Sequence, residues 1–152
     1  MALSSVCIGF KGINNSSAMI VDAISQQHYL LTNSFSGLKN DIDKLPEKFD
    51  AVFLFGANKD LTNLFCIEQC AERNRKRLFT ELDVDHISIC LSAVGIESTI
   101  SYVPTHYLCN EAYWYLLEKY HGRAVLIHIP TIRNIHCMLE SAEHLNDFFK
   151  FC

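Results

Sequence analysis

Short, nearly continuous apolar runs alternate along this chain with stretches whose apolar residues recur at helical spacing. That alternation limits the fold more than any other feature. Residues 51–55 (AVFLF, closed by Gly56) and 124–129 (AVLIHI, closed by Pro130) are apolar at almost every position, the pattern of strands covered on both faces. Residues 3–10, 28–32 and 96–103 read as further strands. Between them, 18–24 form a helical stripe behind the capping candidates Asn14, Asn15, Ser16 and Ser17. A short amphipathic helix over 38–45 stops at Pro46, and residues 83–94 keep helical spacing until Gly95. Residues 107–120 read as an aromatic-rich helix and 135–151 as a closing amphipathic one. Residues 64–71 fit a strand or a turn of helix equally, and the basic run 73–77 (RNRKR) reads as a solvated loop. Strands alternating with helices predict an α/β fold: a three-layer α/β/α sandwich with a largely parallel central sheet and helices on both faces. No repeat or linker interrupts the pattern, so residues 1–152 are expected to form a single domain.

Composition narrows the function. A net charge of −4 argues against nucleic-acid binding, which needs a basic face to neutralise phosphates. No apolar stretch is long enough to span a bilayer, and residues 1–10 lack the pattern of an export signal, so a cytoplasmic setting is expected. In that compartment the seven cysteines read as thiols, most of them core residues. Cys66 and Cys70, or His86 and Cys90, have the spacing of two ligands on one helix face, and His136 adjoins Cys137. No second matching pair accompanies either spacing, so neither a metal nor another cofactor is expected. Phe148, Phe149 and Phe151 fit a docked terminal helix, with a homo-oligomer face as the alternative.

Two places carry chemistry. In an α/β sheet, functional groups gather where strands end and helices begin. Cys109 falls at the start of the helix after Pro104, where unpaired amides and the positive dipole end stabilise a thiolate and could hold an oxyanion. His128 is the one polar side chain near the end of a buried strand. Within reach of that thiol it would deprotonate it, with a carboxylate to orient the ring. Each residue alone is more often structural; the pair is the signal.

Residues 107–130, YLCNEAYWYLLEKYHGRAVLIHIP, resemble the nucleophile–histidine segment of the pyroglutamyl peptidase type I family of cysteine hydrolases. Members carry a tyrosine, an aliphatic residue, the catalytic cysteine and Asn or Asp at a helix start, then a tyrosine-rich helix and a strand ending in His-Val-Pro. Cys7-Ile8-Gly9-Phe10 with Asn14-Asn15-Ser16 is similar to the family's Gly-Phe…Asn-Pro-Ser opening, and Ile67-Glu68 to the pair that supplies its glutamate. The resemblance implies Cys109 as nucleophile, His128 as general base and acid, and Glu68 as orienting carboxylate; apart from it, Asp50, Asp60 and Asp83 are the alternative carboxylates if Glu68 points away from His128. The resemblance further implies Phe10, Ile13, Asn58 and Tyr107 at the substrate, which would be a small peptide or amide.

The chain also departs from that pattern. The opening loop Lys11-Gly12-Ile13 is short, so that only Ile13 stands where a second ring-contacting phenylalanine is found. A long family segment is missing between Asn74 and Phe79, and with it an arginine. The loop after Gly56 reads Ala-Asn-Lys-Asp. Two further readings therefore remain open: the same pair acting on another small amide, lactam or thioester, and a non-catalytic binding module.

Overall fold

The computed structural model describes residues 4–25 and 27–149. Its centre is a six-stranded sheet built from β1 (Ser5–Phe10), β2 (His28–Leu31), β3 (Ala51–Ala57), β4 (Leu64–Glu68), β7 (Glu97–Ser101) and β8 (Ala124–Ile129), in the spatial order β2-β1-β3-β8-β4-β7. A separate hairpin joins β5 (Cys70–Arg73) to β6 (Lys76–Phe79). Every central pairing is parallel except β4 with β8, which run antiparallel with Cys66 opposite His128 and Glu68 opposite Leu126. The fold class is the α/β class expected.

The layers follow from the strand alternation. On one face, Phe53, Phe55, Phe65, Ile67, Val125 and Ile127 pack against α1 (Ser16–Ile24), α3 (Val84–Ala93), α5 (Ile132–Ala142) and α6 (Leu145–Phe149). On the other, Val6, Ile8, Val52, Leu54 and Leu126 pack against α2 (Phe35–Asp43) and α4 (Leu108–Lys119). β3 and β8 lie between both layers, and this is why their sequences show no polar face beyond His128. Asn15 caps α1, its Oδ1 accepting from the backbone N–H of Ser17 at 3.0 Å, and Asp83 caps α3 in the same way through His86 N–H. Gly95, at φ 86°, takes the left-handed position just past α3, where a side chain would be strained.

Three local expectations change. The run 73–77 is not a loop: it is the tip of the β5–β6 hairpin, closed by Asn74 and Arg75 at φ 50° and 62°. Two residues at positive φ form the kind of turn that matches strand twist. β5 and β6 are joined by a two-residue connection. The ambiguous stretch 64–71 resolves into β4 and the start of β5, so Cys66 and Cys70 sit on different strands and not on one helix face. Finally, the closing helix is two helices, with the break at Glu143 and His144. Phe149 is buried and stacks on Phe53, ring centroids 4.1 Å apart, a docked helix end; Phe151 lies outside the described residues.

Candidate active site

α4 begins beside the ends of the central strands β3 and β8 with Tyr107 as N-cap, and among the described residues no side chain caps its first-turn amides. Cys109 therefore stands in the first turn of a helix whose N–H groups no capping side chain has claimed. The helix is tied down on both sides of it. Asn110 is buried and reads the backbone of Glu72 like a neighbouring strand, its Nδ2 donating to Glu72 O at 2.7 Å and its Oδ1 accepting from Glu72 N–H at 3.0 Å. One turn on, the buried Tyr113 hydroxyl donates to Glu68 O at 2.8 Å. The same helix thus carries the thiol and fixes the backbone of Glu68.

His128 projects from β8 with 2% of its surface exposed, and Glu68 from the end of β4 with 4%. Their side chains meet through His128 Nδ1 and Glu68 Oε1 at 2.8 Å. With Nδ1–H donating to the carboxylate, Nε2 is left as an acceptor. Neither an uncharged nor a charged ring at this depth would be held in one orientation without such a partner. The other carboxylate oxygen, Glu68 Oε2, is buried and has no hydrogen-bond partner among the described residues. Of the alternative carboxylates, Asp50 pairs with Arg123, Asp83 caps α3, and Asp60 stands at the rim of the cavity, so Glu68 is the one against the imidazole.

Gly56 brings thiol and imidazole together. It lies directly beside His128 in the β3–β8 register. A Cβ at this position would stand 2.5 Å from Cys109 Sγ and 3.6 Å from His128 Cδ2. The sulfur and the ring edge that carries Nε2 therefore face the same spot, over a residue that must lack a side chain to let them approach.

Above them opens a cavity of about 370 Å³ lined by Ala57, Asn58, Lys59, Asp60, Tyr107, Cys109, His128 and Thr131. Asn58 is held in place from both directions, its N–H donating to Ile129 O at 2.8 Å and its Oδ1 accepting from Asp60 N–H at 2.9 Å. Thr131 is the N-cap of α5, so the first turns of two helices border the cavity. Sequence reasoning placed Asn58, Tyr107, Cys109 and His128 here. It missed Lys59 and Thr131, which carry no signal in the sequence beyond following a strand end. Phe10 is 2% exposed, in the core beside Leu31 and Leu38, and Ile13 is 98% exposed; neither lines this cavity.

The electrostatics reverse one expectation. Burial pushes the Cys109 thiol up to about 11; its own backbone N–H pulls the other way, and the Glu68 charge adds a smaller push upward. Burial outweighs that amide, which leaves the thiol proton to be taken by a base. Among the described residues no three His, Cys, Asp or Glu side chains are grouped to hold a metal ion; His86 and Cys90 do meet on α3, at 3.6 Å, without a third donor.

No family model and no curated protein matches this chain in sequence. Solved structures do match it in fold. The pyrrolidone carboxyl peptidase of Thermococcus litoralis is similar with a TM-score of 0.74 and 19% identity, over 97% of this chain and 93% of that one. Pyroglutamyl peptidase I of Bacillus amyloliquefaciens gives 0.71 and 15%, over 96% and 95%. The pyrrolidone carboxyl peptidase of Thermus thermophilus gives 0.75 and 15%, over 97% and 100%. The chain has the pyrrolidone carboxyl peptidase fold over essentially its whole described length, and at these identities the likeness is one of fold.

Proposed function

We propose that the protein is a cysteine hydrolase that cleaves a small amide, with an N-terminal pyroglutamyl group or a similar acyl group on the side that becomes bound to Cys109. The observation that carries this reading is the buried His128–Glu68 pair beside a thiol at an uncapped helix start, in one cavity of one α/β fold. His128 Nε2 takes the thiol proton as Cys109 Sγ attacks the amide carbonyl carbon. The C–S bond forms, and the oxyanion is met by the N–H groups of the first turn of α4. The C–N bond then breaks as His128 returns the proton to the leaving amine. Water, deprotonated by His128, attacks the thioester; the C–S bond breaks, and the proton returns to the sulfur. Glu68 holds the ring so that Nε2 faces the thiol. The fold shared with pyrrolidone carboxyl peptidases supports the same chemistry by analogy.

One observation favours a second reading of the substrate. The two side chains that the resemblance assigned to the ring pocket, Phe10 and Ile13, do not line the cavity, whereas Lys59 and Asp60 do. A cavity that lacks both of those side chains suits another small amide, lactam or thioester. Purified protein would be incubated under reducing conditions with a fluorogenic pyroglutamyl amide and with a panel of other small acyl amides, beside Cys109→Ala and His128→Ala. Release from the pyroglutamyl amide by the wild type alone supports the first reading, and release from another acyl amide alone supports the second. No release from any amide, with a Cys109 no more reactive than the buried Cys7, sinks both.

A further inference from the structure

The Glu68 carboxylate has a second side-chain neighbour besides the imidazole. Cys66, two residues earlier on β4, projects from the same face and donates its S–H to Glu68 Oε1 at 3.6 Å, the oxygen that also receives His128 Nδ1–H. The strand registers make this contact systematic. Cys66 is opposite His128 on one side and opposite Thr99 of β7 on the other, so His128, Cys66 and Thr99 form one row across three strands. The mechanism above uses no thiol here. Burial and the Glu68 charge push Cys66 up to about 11, which keeps it a protonated donor across the neutral range.

We propose that Cys66 is a positioning residue of the active site, a thiol donor that shares Glu68 Oε1 with His128 and so moderates how strongly the carboxylate stabilises the imidazolium. The inference rests on the cysteine hydrolase reading for its consequence, but its test does not need turnover. A donor on the carboxylate withdraws part of the negative charge that would otherwise serve the ring. Without it, the imidazolium paired with a Cys109 thiolate is favoured, and Cys109 becomes more nucleophilic near neutrality. Catalysis needs the opposite as well, a ring that gives its proton back to the leaving amine, so a moderated carboxylate suits a residue that must act as base and then as acid. The other ionisable groups facing this pair are Cys109 and Tyr113 from α4, Cys70 from β5, and Lys59 and Asp60 across the cavity. Substitution at Cys66 leaves all of these unchanged.

The test is the rate at which iodoacetamide alkylates Cys109 between pH 5.5 and about 9, read by mass on the Cys109 peptide, in wild type and in Cys66→Val, Cys66→Ala and Cys66→Ser. Valine and alanine both remove the donor; serine keeps one. The expected pattern is about threefold faster alkylation for valine and alanine from neutrality up to about pH 9, since Cys109 stays below its raised pKa throughout, and a rate within about 1.5-fold of wild type for serine. A packing role gives another pattern, in which alanine and serine behave alike because both are smaller and valine follows the wild type. That pattern, or equal rates in all four proteins, overturns the proposal. If the protein cleaves no amide tested yet shows the expected pattern, the amide substrates of the proposed function are wrong and the positioning role of Cys66 stands.

Discussion

His128 Nδ1 lies 2.8 Å from Glu68 Oε1, and the two residues come from strands that are antiparallel neighbours in an otherwise parallel sheet. The antiparallel register sets Cys66 opposite His128 and Glu68 opposite Leu126, so the carboxylate reaches the ring from two residues along the same face. The first prediction follows from it. Glu68→Gln keeps the side-chain shape but offers an uncharged group, which favours the wrong ring tautomer and cannot stabilise an imidazolium. The turnover number on the best substrate of the amide panel should fall by about 10³- to 10⁴-fold with little change in KM. A loss of less than tenfold would remove Glu68 from the site.

Gly56 supports the site by what it lacks. In Gly56→Ala the new methyl would stand 2.5 Å from Cys109 Sγ and 3.3 Å from its Cβ, so the start of α4 has to shift. The expected cost is about 1–3 kcal/mol of stability in urea unfolding, with turnover down by about 100-fold as the thiol leaves the ring edge. Unchanged turnover would mean that sulfur and imidazole do not meet over this residue.

Some of this was legible in the sequence and some was not, for reasons that can be named. The apolar runs of β3 and β8 announce strands buried on both faces because such strands leave no room for alternation, and the single His128 stands out for the same reason. Cys109 was legible from its place at a helix start. Glu68 was not legible from residue pattern, since 64–71 fits two periods; only the resemblance pointed to it. The hairpin escaped because Asn74-Arg75 puts an arginine where glycine normally signals the turn. The break between α5 and α6 escaped because Glu143 and His144 are neither glycine nor proline. The raised thiol of Cys109 escaped because its place at a helix start is visible in sequence, whereas its burial arises only in the folded chain.

Alkaline pH should destabilise the fold through Cys7. Burial raises this thiol from 9.0 to about 12, so the folded protein keeps its proton where the unfolded chain has lost it. Its contribution is fully present below pH 9 and falls by about 1.4 kcal/mol per pH unit above that, until the folded thiol itself ionises near 12. Urea midpoints at pH 7 and pH 10.5 would be compared for the wild type and Cys7→Ala. The variant should be less stable at pH 7, having lost core volume, but should lose about 2 kcal/mol less on going to pH 10.5. An equal alkaline loss in both proteins would show that Cys7 is not held neutral.

Arg75 is the remaining test, and it lies away from the chemistry. At φ 62° it occupies a left-handed position between β5 and β6, next to Asn74 at φ 50°. A side chain there costs about 1 kcal/mol that glycine does not incur, although glycine also gains freedom in the unfolded chain. An Asn-Gly pair is the favoured sequence for a two-residue turn of this hand, so the first effect should win. Arg75 forms no ion pair among the described residues; the neighbouring pairs of the hairpin are Arg77 with Glu72 at 3.2 Å and Arg73 with Glu111 at 3.6 Å, and both survive the change. Arg75→Gly should therefore raise stability by about 0.5 kcal/mol in urea with turnover unaltered. A destabilised variant would mean that this turn does not hold Arg75 in the left-handed region in solution.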